Sequence, residues 1–281
     1  MWRAAALCLL LVSQSSARAL TVGVLEHPQC SQDQSRVVRP LFRHGTDGWS
    51  SLTAGASLEK LPSSWLFVGG RHEPPLRVRL PETMPSLGWT HARDFSLSPV
   101  EFSALPLAPN VAEAYGGWCD APKNKPILLV SGSTVMPEYR GTQPKNPPPM
   151  GALRKAFVKS LPEGKLCVNF DDPRPTKIRE SDLRIKHDII LPGNRRLIAL
   201  SLTRQLTECG SEIGGVEQPR WFVLERSPRF IDASLTHVAT ADLDADGEPE
   251  HVFWFTGYNE DGYILFASNF RQPIRFTWKY H

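Results

Sequence analysis

Residues 242–250 read D-L-D-A-D-G-E-P-E, with Asp242, Asp244 and Asp246 at alternate positions and Glu248 and Glu250 close behind. Carboxylates crowded on one turn repel each other unless a cation neutralises them. A dense set of hard oxygens suits calcium, which takes about 6–8 such ligands in adaptable geometry. Magnesium needs fewer carboxylates and stricter octahedral order, so it ranks second. Gly247 lets the backbone double back, which turns the Glu248 carbonyl inward as a further ligand. An EF-hand would need a bidentate acid at the twelfth loop position, which is Phe253 here, and flanking helices where HVFWF and YILFA read as strands. The competing reading is an acidic turn between two strands, held by Asx hydrogen bonds alone.

No comparable pattern for catalysis stands out elsewhere. The histidines His27, His44, His72, His91, His187, His237, His251 and His281 form neither H-x-x-x-H nor H-E-x-x-H. There is no G-x-S-x-G elbow, and Gly132-Ser133-Thr134 only faintly echoes one. Asp171 and Asp172 are adjacent, so in a strand they would point to opposite faces. Catalytic residues are therefore not assigned.

The spacing D-x-D-x-D-G-x-x-[DE] leading into a hydrophobic strand resembles the calcium loop of FG-GAP or VCBS-type repeats, over about Ala239 to Phe255 and loosely to Phe266. Those repeats form blades of β-propellers and occur in many exported bacterial proteins. The resemblance implies Asp242, Asp244, Asp246 and Glu250 as side-chain ligands and Glu248 as a carbonyl ligand. Only one copy of the loop is visible. The wider C-terminal run, ending in FTWKYH, also looks like the end of a group of exported bacterial proteins of unassigned activity.

The surrounding elements are expected to be strands. Val252–Phe255 and Ile264–Phe266 lack polar alternation, which predicts a hairpin buried on both faces. Its turn is expected over Gly257–Gly262, with Asp261-Gly262 supplying the positive-φ position. Further strands are expected at Val22–Leu25, Val37–Phe42, Trp65–Val68, Leu76–Leu80, Ile127–Val130, Trp221–Leu224 and Ile274–Tyr280. Pro40 places its strand at an edge or a bulge. Leu183, Ile185, Ile189 and Leu191 alternate with polar neighbours up to Pro192-Gly193-Asn194, and Leu197–Thr203 returns as a hairpin partner. One helix is expected in GALRKAFVKSL, with Leu153, Ala156, Phe157 and Leu161 on one face. The run MPEYRGTQPKNPPPM before it reads as an extended, solvated connector.

The fold class is thus mainly β with a minor α part: antiparallel sheets and one short helix, as two β domains or a partial propeller-like arrangement. Residues 1–19 read as a secretory signal cleaved after Ala19, residues 20–105 as an N-terminal β domain, and residues 106–281 as a C-terminal mainly-β domain. Once Cys8 is removed, Cys30, Cys119, Cys167 and Cys209 remain. An even count suggests two disulfides, Cys167 with Cys209 and Cys30 with Cys119 by preference for local loops; a free catalytic Cys119 is the alternative. The formal charge of +3 falls to +1 without Arg3 and Arg18. Basic residues form no block that would follow a phosphate backbone, so nucleic acid is not expected as a partner. No later segment reads as a transmembrane helix. The expectation is an exported, periplasmic or extracellular, calcium-stabilised protein that binds a protein or carbohydrate or builds the cell envelope. The alternatives are an extracytoplasmic hydrolase and a propeller-like adhesin.

Overall fold

The computed structural model describes residues 20–26, 37–52, 61–69, 75–77, 125–132, 136–161, 166–167, 175–204, 206–208, 219–257 and 260–279. Several expectations fall outside these residues. They are the signal, the boundary near residue 105, Cys30, Cys119, Cys209, the Asp171–Asp172 pair, Ser133–Thr134, residues 258–259 of the expected hairpin turn, and the strand ends at 78–80 and 280.

The protein is mainly β. The first sheet is built from β1 (Leu20–Glu26), β2 (Val37–Gly45), β3 (Gly48–Ser51), β4 (Ser64–Phe67), β5 (Leu76–Arg77) and β6 (Ile127–Val130), in the order β3-β2-β1-β6-β4-β5. Helix α1 (Met150–Ser160) follows, then β7 (Leu166–Cys167), β8 (Leu183–Ile190), β9 (Arg196–Leu202), β10 (Thr207–Glu208), β11 (Arg220–Leu224) and β12 (Pro228–Ala233). Here β8, β9, β11 and β12 form the second sheet, while β7 pairs with β10. The third sheet is a meander of β13 (Leu235–Ala241), β14 (Glu250–Gly257), β15 (Glu260–Ala267) and β16 (Gln272–Lys279). All registered pairings are antiparallel. Among the described residues no helix is long and apolar enough to cross a membrane.

The third sheet is the middle layer, and its sequence explains why. Successive strand side chains point to opposite faces. Val252, Trp254, Tyr263 and Leu265 join Val22, Val24, Leu41, Trp65 and Leu129 in a core shared with the first sheet. Their neighbours Phe253, Phe255, Ile264 and Phe266 join Leu197, Ala199, Trp221 and Val223 in a core shared with the second. The alternate residues of that second sheet, Ile198, Leu200, Phe222 and Leu224, pack on Leu153 and Phe157 of α1. The absence of polar alternation over Val252–Phe255 is therefore the signature of a strand sandwiched between two others. β6 follows residue 105 in the chain, yet it pairs with β1 and β4.

Three local expectations change. Gly262 lies inside β15, opposite Phe255, and the β14–β15 ladder continues past it to pair Gly257 with Glu260. Gly262 is not among the positive-φ residues. Its lack of a side chain serves close approach: an added Cβ would overlap the Phe276 carbonyl oxygen and lie 2.9 Å from the Phe255 ring. Ile185 is exposed, because a bulge between Ile185 and His187 breaks the alternation of β8. The connector before α1 is also more than a solvated spacer. It runs past all three sheets, receiving Gly69 N–H at the Met136 carbonyl (2.9 Å), donating Tyr139 N–H to the Thr240 carbonyl (2.7 Å) and receiving Ile190 N–H at the Thr142 carbonyl (2.9 Å). Pro40 does sit at a bulge, where β1 shifts register between Val22 and Gly23.

Candidate metal centre

The acidic run links β13 to β14, and Ala241 and Glu250 close it as a registered pair. Ala245 at φ 62° and Gly247 at φ 91° turn the chain back in the left-handed region. Carboxylates hold that turn from within. Asp244 Oδ1 accepts the Asp246 N–H (3.2 Å), Asp246 Oδ1 the Glu248 N–H (2.7 Å), and Asp242 Oδ2 the Gly247 N–H (3.0 Å). Leu243 points the other way, into the core shared with the first sheet, and is fully buried. This inward step delivers the Leu243 N–H to Glu250 Oε2 at 2.7 Å and fixes that carboxyl beneath the loop.

Asp242, Asp244 and Glu250 each bring a carboxylate oxygen to within 4.8 Å of the others. Glu250 is 1 % exposed. Burial, opposed by the Leu243 hydrogen bond and reinforced by Asp244, Asp246 and Asp242, raises its pKa to about 8. Asp242 Oδ1 is shut off from solvent with no hydrogen-bond partner. A buried carboxylate oxygen without a donor is costly, and a divalent ion at the meeting point of the three carboxylates would satisfy it. The donor set is all oxygen, which matches a hard cation.

The other two expected ligands, Asp246 and Glu248, are not in this trio. Asp246 is exposed and spends one oxygen on the Glu248 N–H. The Glu248 side chain leaves the trio for Arg195, in the β8–β9 turn, at 2.6 Å. Its backbone carbonyl remains the atom through which it can contribute.

Sequence reasoning missed two residues of the first sheet. Trp49 Nε1 donates to Asp244 Oδ2 at 3.1 Å, and His44 Nε2 lies 3.4 Å from the same oxygen. The two rings pack at 4.9 Å between centroids. They pair across the β2–β3 hairpin beside its Thr46-Asp47 turn, where Asp47-Gly48 is a local hairpin signal that carries no hint of this distant contact.

Behind the loop lies a chain of buried polar groups. His237 Nε2 meets Thr240 Oγ1 at 2.8 Å, and Thr240 Oγ1 meets His251 Nδ1 at 2.9 Å. The His251 ring stacks on Phe270 at 4.1 Å. Burial, then Arg195, lowers the His251 pKa to about 3. Burial, then His187, Lys125 and His251, holds His237 well below its usual value. Both imidazoles are neutral at physiological pH.

Comparison with protein-family models, with curated proteins and with solved structures found no match.

Proposed function

We propose that the 242–250 loop is a calcium site and that the protein is an exported, calcium-stabilised β-rich binding or structural component of the cell envelope. The observation that carries this reading is the pairing of a nearly fully buried Glu250 with the partnerless, shielded Oδ1 of Asp242, in a trio of carboxylates that converge within 4.8 Å. Without an ion, that arrangement either keeps a proton on Glu250 or sets like charges against each other in a low-dielectric site. Calcium suits the adaptable loop better than magnesium, which holds its waters and demands octahedral order.

Two further features support the wider reading. The loop opens a four-stranded antiparallel meander stacked face to face on a second four-stranded sheet, as adjacent propeller blades are. That agrees with the resemblance of 239–255 to FG-GAP or VCBS-type calcium loops. Four cysteines lie outside the expected signal, an even number that suits disulfides, and disulfides persist in oxidising compartments outside the cytoplasm.

The ion's role is to stabilise. Binding to the folded state alone adds RT ln(1 + [L]/Kd), about 2.7 kcal/mol at a hundredfold excess over Kd. Thermal melting in millimolar calcium against excess chelator tests this, and the expected result is a higher melting temperature with calcium. Equal melting temperatures would remove the basis for the reading.

A further inference from the structure

We infer that the β2–β3 hairpin is a working part of the cation site, with Trp49 as the residue that positions the Asp244 ligand and His44 as its support. This inference rests on the calcium reading above and extends it to a segment 195 residues away in the chain. A carboxylate ligand has two oxygens, and its donor geometry depends on what holds the second. Asp244 Oδ2 receives the indole N–H of Trp49 at 3.1 Å and faces the imidazole Nε2 of His44 at 3.4 Å. Its side chain is 9 % exposed, so these protein groups stand in for most of the water that would otherwise orient it. Among the described residues, the Asp244 Oδ1 atom is tied only to the Asp246 N–H, at a long 3.2 Å. Outer-shell donors of this kind fix ligand orientation, and their loss typically weakens metal binding by about 10–100-fold.

The site does not rest on the acidic cluster alone. Glu250, almost wholly buried, accepts a hydrogen bond on Oε2, from Leu243. Asp242 Oδ1 is shielded and without a donor. Both carboxylates belong to the converging trio.

The consequence is coupling between layers. Asp244 stands between the ion and the hairpin, so a cation that orders the Asp244 carboxylate also favours the docked hairpin. By reciprocity, the docked hairpin favours the cation to the same extent. The ion thereby fastens the first sheet to the middle sheet at their loop ends.

The test uses the full chain, freed of metal by chelation, with calcium as the probe in calorimetry. Trp49→Phe keeps an aromatic ring against His44 but removes the N–H donor. The expected result is calcium binding about 10–100-fold weaker than wild type, with a smaller gain in melting temperature on adding calcium. Terbium supplies a signature that a merely structural role would not move. Bound to wild type it should luminesce through the adjacent indole of Trp49, and at saturation in Trp49→Phe it should largely lose that sensitisation. Amide exchange across 43–51 should slow in wild type on adding calcium. If Trp49→Phe does not fold, His44→Gln is measured in the same way, alongside the wild-type exchange experiment. Should wild type bind calcium while the variant's affinity stays within about twofold and the hairpin amides exchange unchanged, the coupling is overturned and the loop site stands. Should wild type bind no calcium, the site reading falls, and this inference with it.

Discussion

Replacing Glu250 by Gln separates the shape of this side chain from its charge. The amide oxygen can still accept the Leu243 N–H, but the buried negative charge is gone. In chelator at pH 8 and above, Glu250→Gln should be as stable as wild type or more so, because an uncompensated buried carboxylate has been removed. In calcium it should gain no melting temperature, whereas wild type should gain several degrees. The pH dependence follows from the same residue and its histidine neighbours. A carboxyl raised from 4.5 to about 8 holds a proton in the folded state that the unfolded chain has released, so its contribution is lost as pH rises through that window. Histidines held below 6.5 act in the opposite sense. The unfolded chain takes up protons that folded His237 and His251 refuse, so stability is lost as pH falls below 6.5. Below 6.5 the histidines and the glutamate oppose each other, and above it the glutamate acts without them. Without metal, urea midpoints should therefore decline as pH rises from 6.5 towards about 8. With calcium bound Glu250 is ionised, and that alkaline decline should vanish.

At the scale of strands and turns, Phe253 and Gly262 make opposite demands on space. The Phe253 ring meets Trp221 at 5.0 Å, His237 at 5.2 Å and Phe266 at 5.6 Å between centroids. Phe253→Ala should cost about 3–5 kcal/mol in denaturant unfolding, through lost burial and the cavity left behind. Gly262→Ala would drive a methyl into the β16 backbone, and should cost about 1–3 kcal/mol or more despite adding a single carbon. The strands around Phe253 and the helix on Leu153 and Phe157 were legible in the sequence, because their apolar spacing matches the burial observed. β12 was not. Its residues are all half-buried or exposed, so PRFIDA shows no apolar face, and an edge position in the second sheet makes it a strand. Gly262 was misread for a related reason. Asp-Gly is a strong turn signal, while the pressure that requires glycine there comes from β16, which no local pattern contains.

Across the whole molecule, the stacking order of the sheets had no local signature, yet it decides which polar groups are buried together. Arg39 on β2 pairs with Glu26 at the end of β1, and Glu26 Oε2 also accepts the Tyr263 hydroxyl of β15 at 2.5 Å. The Arg39 guanidinium lies 4.6 Å from the centre of the Trp278 ring on β16. Arg39 and Glu26 are 1 % and 0 % exposed. Arg39→Met should lower unfolding stability by about 3–5 kcal/mol, because it leaves Glu26 buried and unpaired. A double change of Arg39→Met with Glu26→Gln should recover part of that loss. The acidic spacing of the candidate metal site was legible from its alternation. Its division of labour was not, since Asp246 stands outside the converging trio, the Glu248 side chain pairs with Arg195, and Trp49, His44 and Arg195 arrive from other layers.

Calorimetric titration of the chelator-treated protein with calcium, in two buffers of different ionisation enthalpy at neutral pH, tests the central claim most directly. The account predicts saturable uptake of about one ion per chain, with release of a proton from Glu250 that makes the observed heat depend on the buffer. No saturable heat, together with identical melting in calcium and in chelator, would contradict it.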